Sequence, residues 1–264
     1  MPRDPGPPRG VVRQPEPPPF QHQRHAPPEA LAGHVVHVWS IRWDLRGQAP
    51  WTQSTLPHPM PTFVFEQDCS SLVGVMTGRF TRTLEGVGAV LGVKLRIGAV
   101  QPLLGGSVRA ITDRRIPLRE VLGPEVDDLA AALPGLTDAQ AVAGLTPLLV
   151  ARLRPVPAEA RRVEALVRLV EQQPGLTRVD ALAAEAGCSP RTLQRRFRRW
   201  VGVGPKWVIC RYRLHEALAR AEAGPADHAA LAHQLGYTDQ AHFIHDFKAL
   251  VGTTPAAYPV TGPS

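Results

Sequence analysis

Cysteine is scarce in this chain of 264 residues: there are three, Cys69, Cys188 and Cys210, with no CxxC or Cys/His ligand spacing. That count excludes a disulfide framework and a zinc finger, and leaves reduced, partly buried thiols as the expectation. Long apolar runs are also missing, and the N-terminus has no apolar signal-peptide core. Neither a membrane span nor a secretory leader is therefore expected, and the chain reads as soluble and cytoplasmic. No GxSxG, HExxH, phosphate loop or dinucleotide fingerprint occurs, which points away from an enzyme. Acidic residues are absent between Ser189 and Arg213, where eight Lys and Arg lie, whereas Pro225 to Tyr258 holds one Lys against three Asp. A net charge of +7 suits a polyanionic partner, and its concentration in one segment says more than its total.

One pattern occurs twice, about fifty residues apart. The first copy runs Leu182-Ala183, Gly187-Cys188-Ser189, Leu193, Phe197-Arg198, Gly202, Pro205; the second runs Leu231-Ala232, Gly236-Tyr237-Thr238, Phe243, Phe247-Lys248, Gly252, Pro255. Each reads as a short amphipathic helix, a glycine turn, a Ser or Thr N-cap and a second helix with apolar residues at i and i+4, that is, a helix-turn-helix. In the first copy Ser189-Pro190 starts the second helix, and Leu193, Phe197 and Trp200 face the core. Arg191, Gln194, Arg195 and Arg198 then face outward. Arg grips guanine O6/N7 bidentately and Gln pairs with adenine, so this face suits a major groove, with Arg196, Arg198 and Arg199 on phosphates. A proline-started helix from about Pro205 to Ala223 reads as a rigid spacer, with Lys206 at its basic start. In the second copy Gln240, Ala241, Ile244 and His245 point outward and Lys248 is the sole lysine, so weaker electrostatic binding is expected there. His228, His233, His242 and His245 span two helices with only Asp nearby, so they read as surface histidines and no metal or other cofactor is expected.

The rest divides by composition. Residues 1 to 28 hold ten prolines and read as a disordered tail. From 29 to 154 the chain reads as a β-rich sensor or oligomerisation domain, with strand-like runs over 35–43, 62–66, 71–76 and 87–95 forming a small antiparallel sheet or barrel, then helices from Val126 to about Arg154. Pro155-Val156-Pro157 opens a linker over 155–160, and 161–264 is the helical domain. The fold class is thus α+β, and a fragment from about Ala158 is expected to fold alone.

Residues from about 160 to 258 resemble the DNA-binding domain of the AraC/XylS family of transcription regulators. The resemblance rests on Gly236-Tyr237-Thr238-Asp239-Gln240-Ala241-His242-Phe243, Phe247-Lys248, Val251-Gly252-Thr253-Thr254-Pro255 and Tyr258. It implies two recognition helices, near 190–201 and 239–250, entering successive major-groove segments. Base contacts then fall to Arg191, Gln194 and Arg195 in one and to Gln240, Ala241 and His245 in the other. His245 and Asp246 depart from the family, where an Arg and a small or neutral residue are frequent. The N-terminal part is similar to a domain of unknown function found ahead of some AraC-type domains, on Leu56-Pro57-His58-Pro59, Phe63-Val64-Phe65-Glu66, Gly78-Arg79-Phe80, Gly92-Val93-Lys94 and Ile116-Pro117-Leu118. It implies a sensing or oligomerising module and names no ligand. The partner expectations are double-stranded DNA, then RNA polymerase, a small-molecule effector and a homodimer, and no membrane.

Two rival readings remain at this stage. One is a nucleoid-like or partner-binding protein of low sequence specificity. The other is an enzyme built from His37, Asp44, His58, Glu66 and Asp68 of the β-rich part. His58 alone reads either as a turn histidine or as the wall of a ligand site.

Overall fold

The computed structural model describes residues 10–223, 228–237 and 239–259. Its strands are β1 (Phe20–His25), β2 (Val35–Asp44), β3 (Trp51–Thr55), β4 (Thr62–Phe65), β5 (Ser71–Val73), β6 (Phe80–Leu84), β7 (Val87–Leu95) and β8 (Arg115–Pro117). Six of them form one antiparallel sheet in the order β1-β2-β7-β4-β5-β8, and β3 pairs with β6 in a separate ribbon. The helices are α1 (Gln101–Leu104), α2 (Leu118–Leu122), α3 (Glu125–Ala132), α4 (Asp138–Arg152), α5 (Ala158–Gln172), α6 (Val179–Glu185), α7 (Pro190–Trp200), α8 (Pro205–Ala223), α9 (His228–Gln234) and α10 (Gln240–Val251). The fold is α+β, with the β-rich part first and the helical part last.

Alternation along the strands divides the sheet into two faces. Phe63, Phe65, Leu72, Leu91, Val93 and Leu95 are buried and belong to the same core as Leu118, Val126, Leu145 and Leu149 of the helices. The opposite face carries His22, Arg24, His37, Trp39, Trp43 and Lys94, and the β3–β6 ribbon stands across a cavity from it. Trp39 is paired with Gly92 and Trp43 with Gly88. A Cβ on Gly92 would lie 1.9 Å from Cε2 of Trp39, and one on Gly88 2.1 Å from Cζ2 of Trp43. The two glycines therefore let the indoles lie flat across β7, which no larger residue permits.

The expectation of a structureless tail fails over 10–28; residues 1–9 of it lie outside the described residues. Val12 donates its N–H to the Ser54 carbonyl, the Leu56 N–H reaches the Gly10 carbonyl at 2.7 Å, and Arg13 N–H donates to the Tyr258 hydroxyl at 2.7 Å. The edge of β3 thus supplies backbone partners that the proline-rich stretch cannot supply to itself. Further on, β1 pairs along β2 from Phe20↔Trp43 to His25↔Val38. Its alternation is of polar residues, with Gln21 and Gln23 exposed, so it carries no apolar signature.

Few contacts across the 155–160 linker were expected, and the packing overturns this. Val156 is 7% exposed, Ala160, Val163 and Val167 join the sheet's own core, and so do Leu193, Phe197 and Trp200 of α7. Arg96, just past β7, donates to the buried Glu164 of α5 at 2.7 Å. The Thr112 hydroxyl donates to the Gly202 carbonyl at 3.0 Å, so the loop after the Val108–Ile111 turn is tied to the end of α7. A second, smaller core gathers Leu214, Leu218, Leu231, Phe243, Phe247 and Tyr258 with Val12 and Leu56. Helix α8 belongs to both cores, Val208 and Ile209 to the first and Leu214 to Ala221 to the second.

Candidate nucleic-acid interface and the adjoining cavity

The two copies of the repeated pattern fold alike. Gly187 and Gly236 both take left-handed backbone, at φ +57° and +72°, in the turn between the helices of each pair, a conformation glycine adopts without steric cost. Ser189 caps α7 by accepting from the Thr192 N–H, and Asp239 caps α10 by accepting from the His242 N–H. A Thr cap is expected from the sequence of the second copy; Thr238 lies outside the described residues, and Asp239 occupies the cap. The second turn is therefore one residue longer. Counting from each cap aligns Leu193 with Phe243 and Phe197 with Phe247, all fully buried. The same count aligns Arg191, Gln194 and Arg195 with Ala241, Ile244 and His245.

On α7, Arg191, Gln194, Arg195, Arg198 and Arg199 are exposed, while Leu193, Phe197 and Trp200 are buried. Arg199 lies over the Trp200 ring at 5.0 Å. Arg196 is half-buried and pairs with Glu159 at 3.4 Å, so its charge is partly taken up inside the protein. Lys206 and Lys248 are exposed. On α10, Gln240, Ala241 and His245 are exposed and Ile244 is half-buried against the second core. Asp246 sits 3.6 Å from His242, which places a carboxylate beside this face.

Not all of the basic run is surface. Arg211 is 2% exposed, donates to the Thr77 carbonyl and lies 4.5 Å from the Trp207 ring; burial holds its guanidinium down to about 10. Arg213 is buried with its guanidinium 4.0 Å from the Tyr237 ring. These two arginines fix α8 to the rest of the protein and do not add to the exposed field. A linear count of charge cannot separate them from their exposed neighbours.

The five polar residues considered for catalysis do not converge. His37, His58 and Glu66 line the cavity, whereas Asp68 is exposed and Asp44 pairs with exposed Arg46. Among the described residues no group of three or more His, Cys, Asp or Glu could hold a metal ion, and no helix is long and apolar enough to cross a membrane. All three cysteines are free, Cys69 exposed and the other two half-buried.

The cavity itself measures about 260 Å³ and lies between the sheet and the ribbon. Its composition changes along the strands. Register places Phe20 opposite Trp43 at one end, and His37 and Thr62 on either side of Lys94 at the other. Arg24 donates to the His37 ring at 3.0 Å. Burial first, and then Lys94 and Arg24, push His37 down to about 3; burial and Arg24 push His22 down to about 4. Both rings are thus neutral at physiological pH. His58 lines the cavity and stacks on His215 of α8 at 4.1 Å, edge-on to Tyr212. Sequence reading gave Arg24 and Lys94 no role: Lys94 is a single basic residue on an otherwise apolar strand, and Arg24 lies on a polar strand with no apolar signature, so neither carries a motif.

The chain is similar to known families over two of its segments. Residues 182–259 match the helix-turn-helix domain family, and residues 23–117 match a domain of unknown function, DUF6597. Proteins of Streptomyces antibioticus and Streptomyces lividans that carry the name AraC-like transcription regulator are each 35% identical over 80 residues. Each match covers 30% of this chain and 26% of the relative, so the chain aligns with about a quarter of those proteins. Among solved structures, ToxT of Vibrio cholerae is similar at 12% identity and a TM-score of 0.43, covering 91% of this chain and 98% of that one.

Proposed function

We infer that this chain, whose residues 182–259 are an AraC-type helix-turn-helix domain behind an N-terminal domain of unknown function, reads specific DNA sequence as a transcriptional regulator. In this reading α7 and α10 enter two adjacent major-groove segments. Arg191, Gln194 and Arg195 meet base edges in one, and Gln240, Ala241 and His245 in the other. Phosphates are held by Arg198, Arg199, Lys206 and Lys248, with Arg196 shared between DNA and Glu159. The carrying observation is the acid-free face of α7, whose exposed arginines are held outward by a capped, fully packed helix.

Helix α8 supports the two-segment geometry. Its 19 residues span about 28 Å at 1.5 Å per residue, of the order of one turn of B-DNA, roughly 34 Å. Residues 29–154 act as the sensing or oligomerising part, 161–264 as the reading part. RNA polymerase and a second copy of the chain are the further partners of this non-enzymatic, cytoplasmic reading.

Selection of bound sequences from random DNA tests it. A defined two-part consensus is expected, Arg195→Ala should lower affinity by about 1–3 kcal/mol and relax one half, and Gln240→Ala should relax the other half by less. Recovery of no consensus would favour the low-specificity reading. Salt provides a second measurement. Arg198→Ala with Arg199→Ala should flatten the slope of log affinity against log salt by roughly one unit per lost contact. An unchanged slope would put the phosphate contacts on another surface.

A further inference from the structure

The Val108–Ile111 turn lies inside the N-terminal domain of unknown function, yet it packs on the end of a reading helix. Val108 and Ile111 are buried in the core that also holds Leu193, Phe197 and Trp200 of α7, and between them Arg109 and Ala110 are exposed. The Ser107 hydroxyl donates to the Arg198 carbonyl at 3.2 Å and accepts the Arg109 N–H at 3.3 Å. One hydroxyl thus joins the backbones of Arg198 and Arg109 across the domain boundary. Gly202 permits the close approach: its φ is +98°, and a Cβ there would lie 2.7 Å from the Thr112 hydroxyl oxygen. Arg114 folds back on the same turn and donates to the Ala110 carbonyl at 3.2 Å, which brings a second guanidinium next to Arg109.

We propose that this turn belongs to the DNA interface: Arg109, seconded by Arg114, holds backbone phosphate beside the segment that α7 reads, so the N-terminal domain touches the duplex directly. The charge pattern supports it. Among the described residues Arg109, Arg114, Arg198 and Arg199 are all exposed and none of them forms an ion pair. The acid closest in sequence, Asp113, is engaged with another loop, where its carboxylate accepts the Thr77 N–H at 2.6 Å and the Thr77 hydroxyl at 2.7 Å. Cations gathered without acids are stabilised by a polyanion. The C-terminal end of a helix carries partial negative charge, which repels phosphate. Ser107 covers one of the last carbonyls of α7, and Arg109 adds a cation at that end. The partner is phosphate and not base, because a single arginine on a short turn has charge but no element behind it to fill a groove. This inference extends the DNA reading and rests on it.

The test measures binding of the full chain to a DNA site selected from random sequence. Arg109→Ala should weaken binding about 3- to 10-fold at moderate salt and flatten the slope of log affinity against log salt by about one unit. Arg109→Lys, which keeps the charge, should retain most of both. Replacing the phosphates one at a time with uncharged methylphosphonate locates the contact. With the wild-type chain, neutralising one phosphate beside the α7 half should cost affinity, and with Arg109→Ala that same replacement should cost nothing further. Unchanged affinity and slope in Arg109→Ala, with wild-type binding intact, would overturn this inference and leave the DNA reading standing. A loss in Arg109→Ala shared equally by every methylphosphonate probe would also overturn it, since that marks a general field and not a contact. Failure of the wild-type chain to select any DNA would remove the DNA reading and this inference together.

Discussion

Replacing Phe197 with alanine is expected to destabilise the protein by about 3–5 kcal/mol, the usual loss for a fully buried phenylalanine, and the damage should reach well beyond its own helix. Phe197 lies in the core that also holds Leu91, Val93 and Leu95 of the sheet. Against a typical domain stability of about 5–15 kcal/mol, such a loss should raise amide hydrogen exchange in β7 as well as in α7. Phe243→Ala removes an equally buried ring from α10, at the position that aligns with Leu193, and from the smaller core. Its effect should be of similar size and confined to α9, α10 and the outer half of α8. Peptide-resolved exchange on the two variants checks this. Fast exchange in β7 caused by Phe243→Ala would show that Val12 and Leu56 couple the two cores strongly enough to make them one.

The second large effect concerns DNA geometry. A half-turn insertion, about 5 bp, between the two halves of a selected site should rotate one half to the opposite side of the duplex, where the α8 spacer cannot deliver α10. Affinity should drop to that of α7 alone, a loss of about 5- to 150-fold if α10 contributes about 1–3 kcal/mol of base contacts. A full-turn insertion restores the face but exceeds the reach of α8, so binding should recover little. Gel-shift titration with the spaced probes measures this. Affinity indifferent to the half-turn insertion would leave α7 as the sole reader and make α10 a brace for the second core.

The helical part was legible residue by residue, because its signals are local. Ser189-Pro190 starts α7, Pro205 starts α8 where the sequence places it, and Leu193, Phe197, Trp200, Phe243 and Phe247 are buried as read. The sheet was legible only where strands are apolar. The run over 87–95 matches β7, and that over 35–43 matches β2 to within a residue. In contrast β1, β3 and β6 were invisible, because Gln, Thr, His and Arg dominate them and only one of their faces meets the cavity. Their pairing partners lie far along the chain, and no local pattern encodes that.

By itself, then, the sequence determined the duplicated helix-turn-helix, the outward arginines of the first copy and the α+β order, all from spacing within a few turns of chain. Tertiary structure alone decided three other matters. It buried Arg211 and Arg213 and paired Arg196 with Glu159, which thins the positive surface to part of the basic run. It fused the first copy to the sheet through Val156, Ala160 and the Arg96–Glu164 pair, where the prolines suggested a loose join. It also gathered Arg24, His37 and Lys94 from three strands into one end of an apolar cavity. The physical reason is common to all three: desolvation and charge pairing depend on what surrounds a side chain in space, and the residues that do so here are tens of positions apart in sequence.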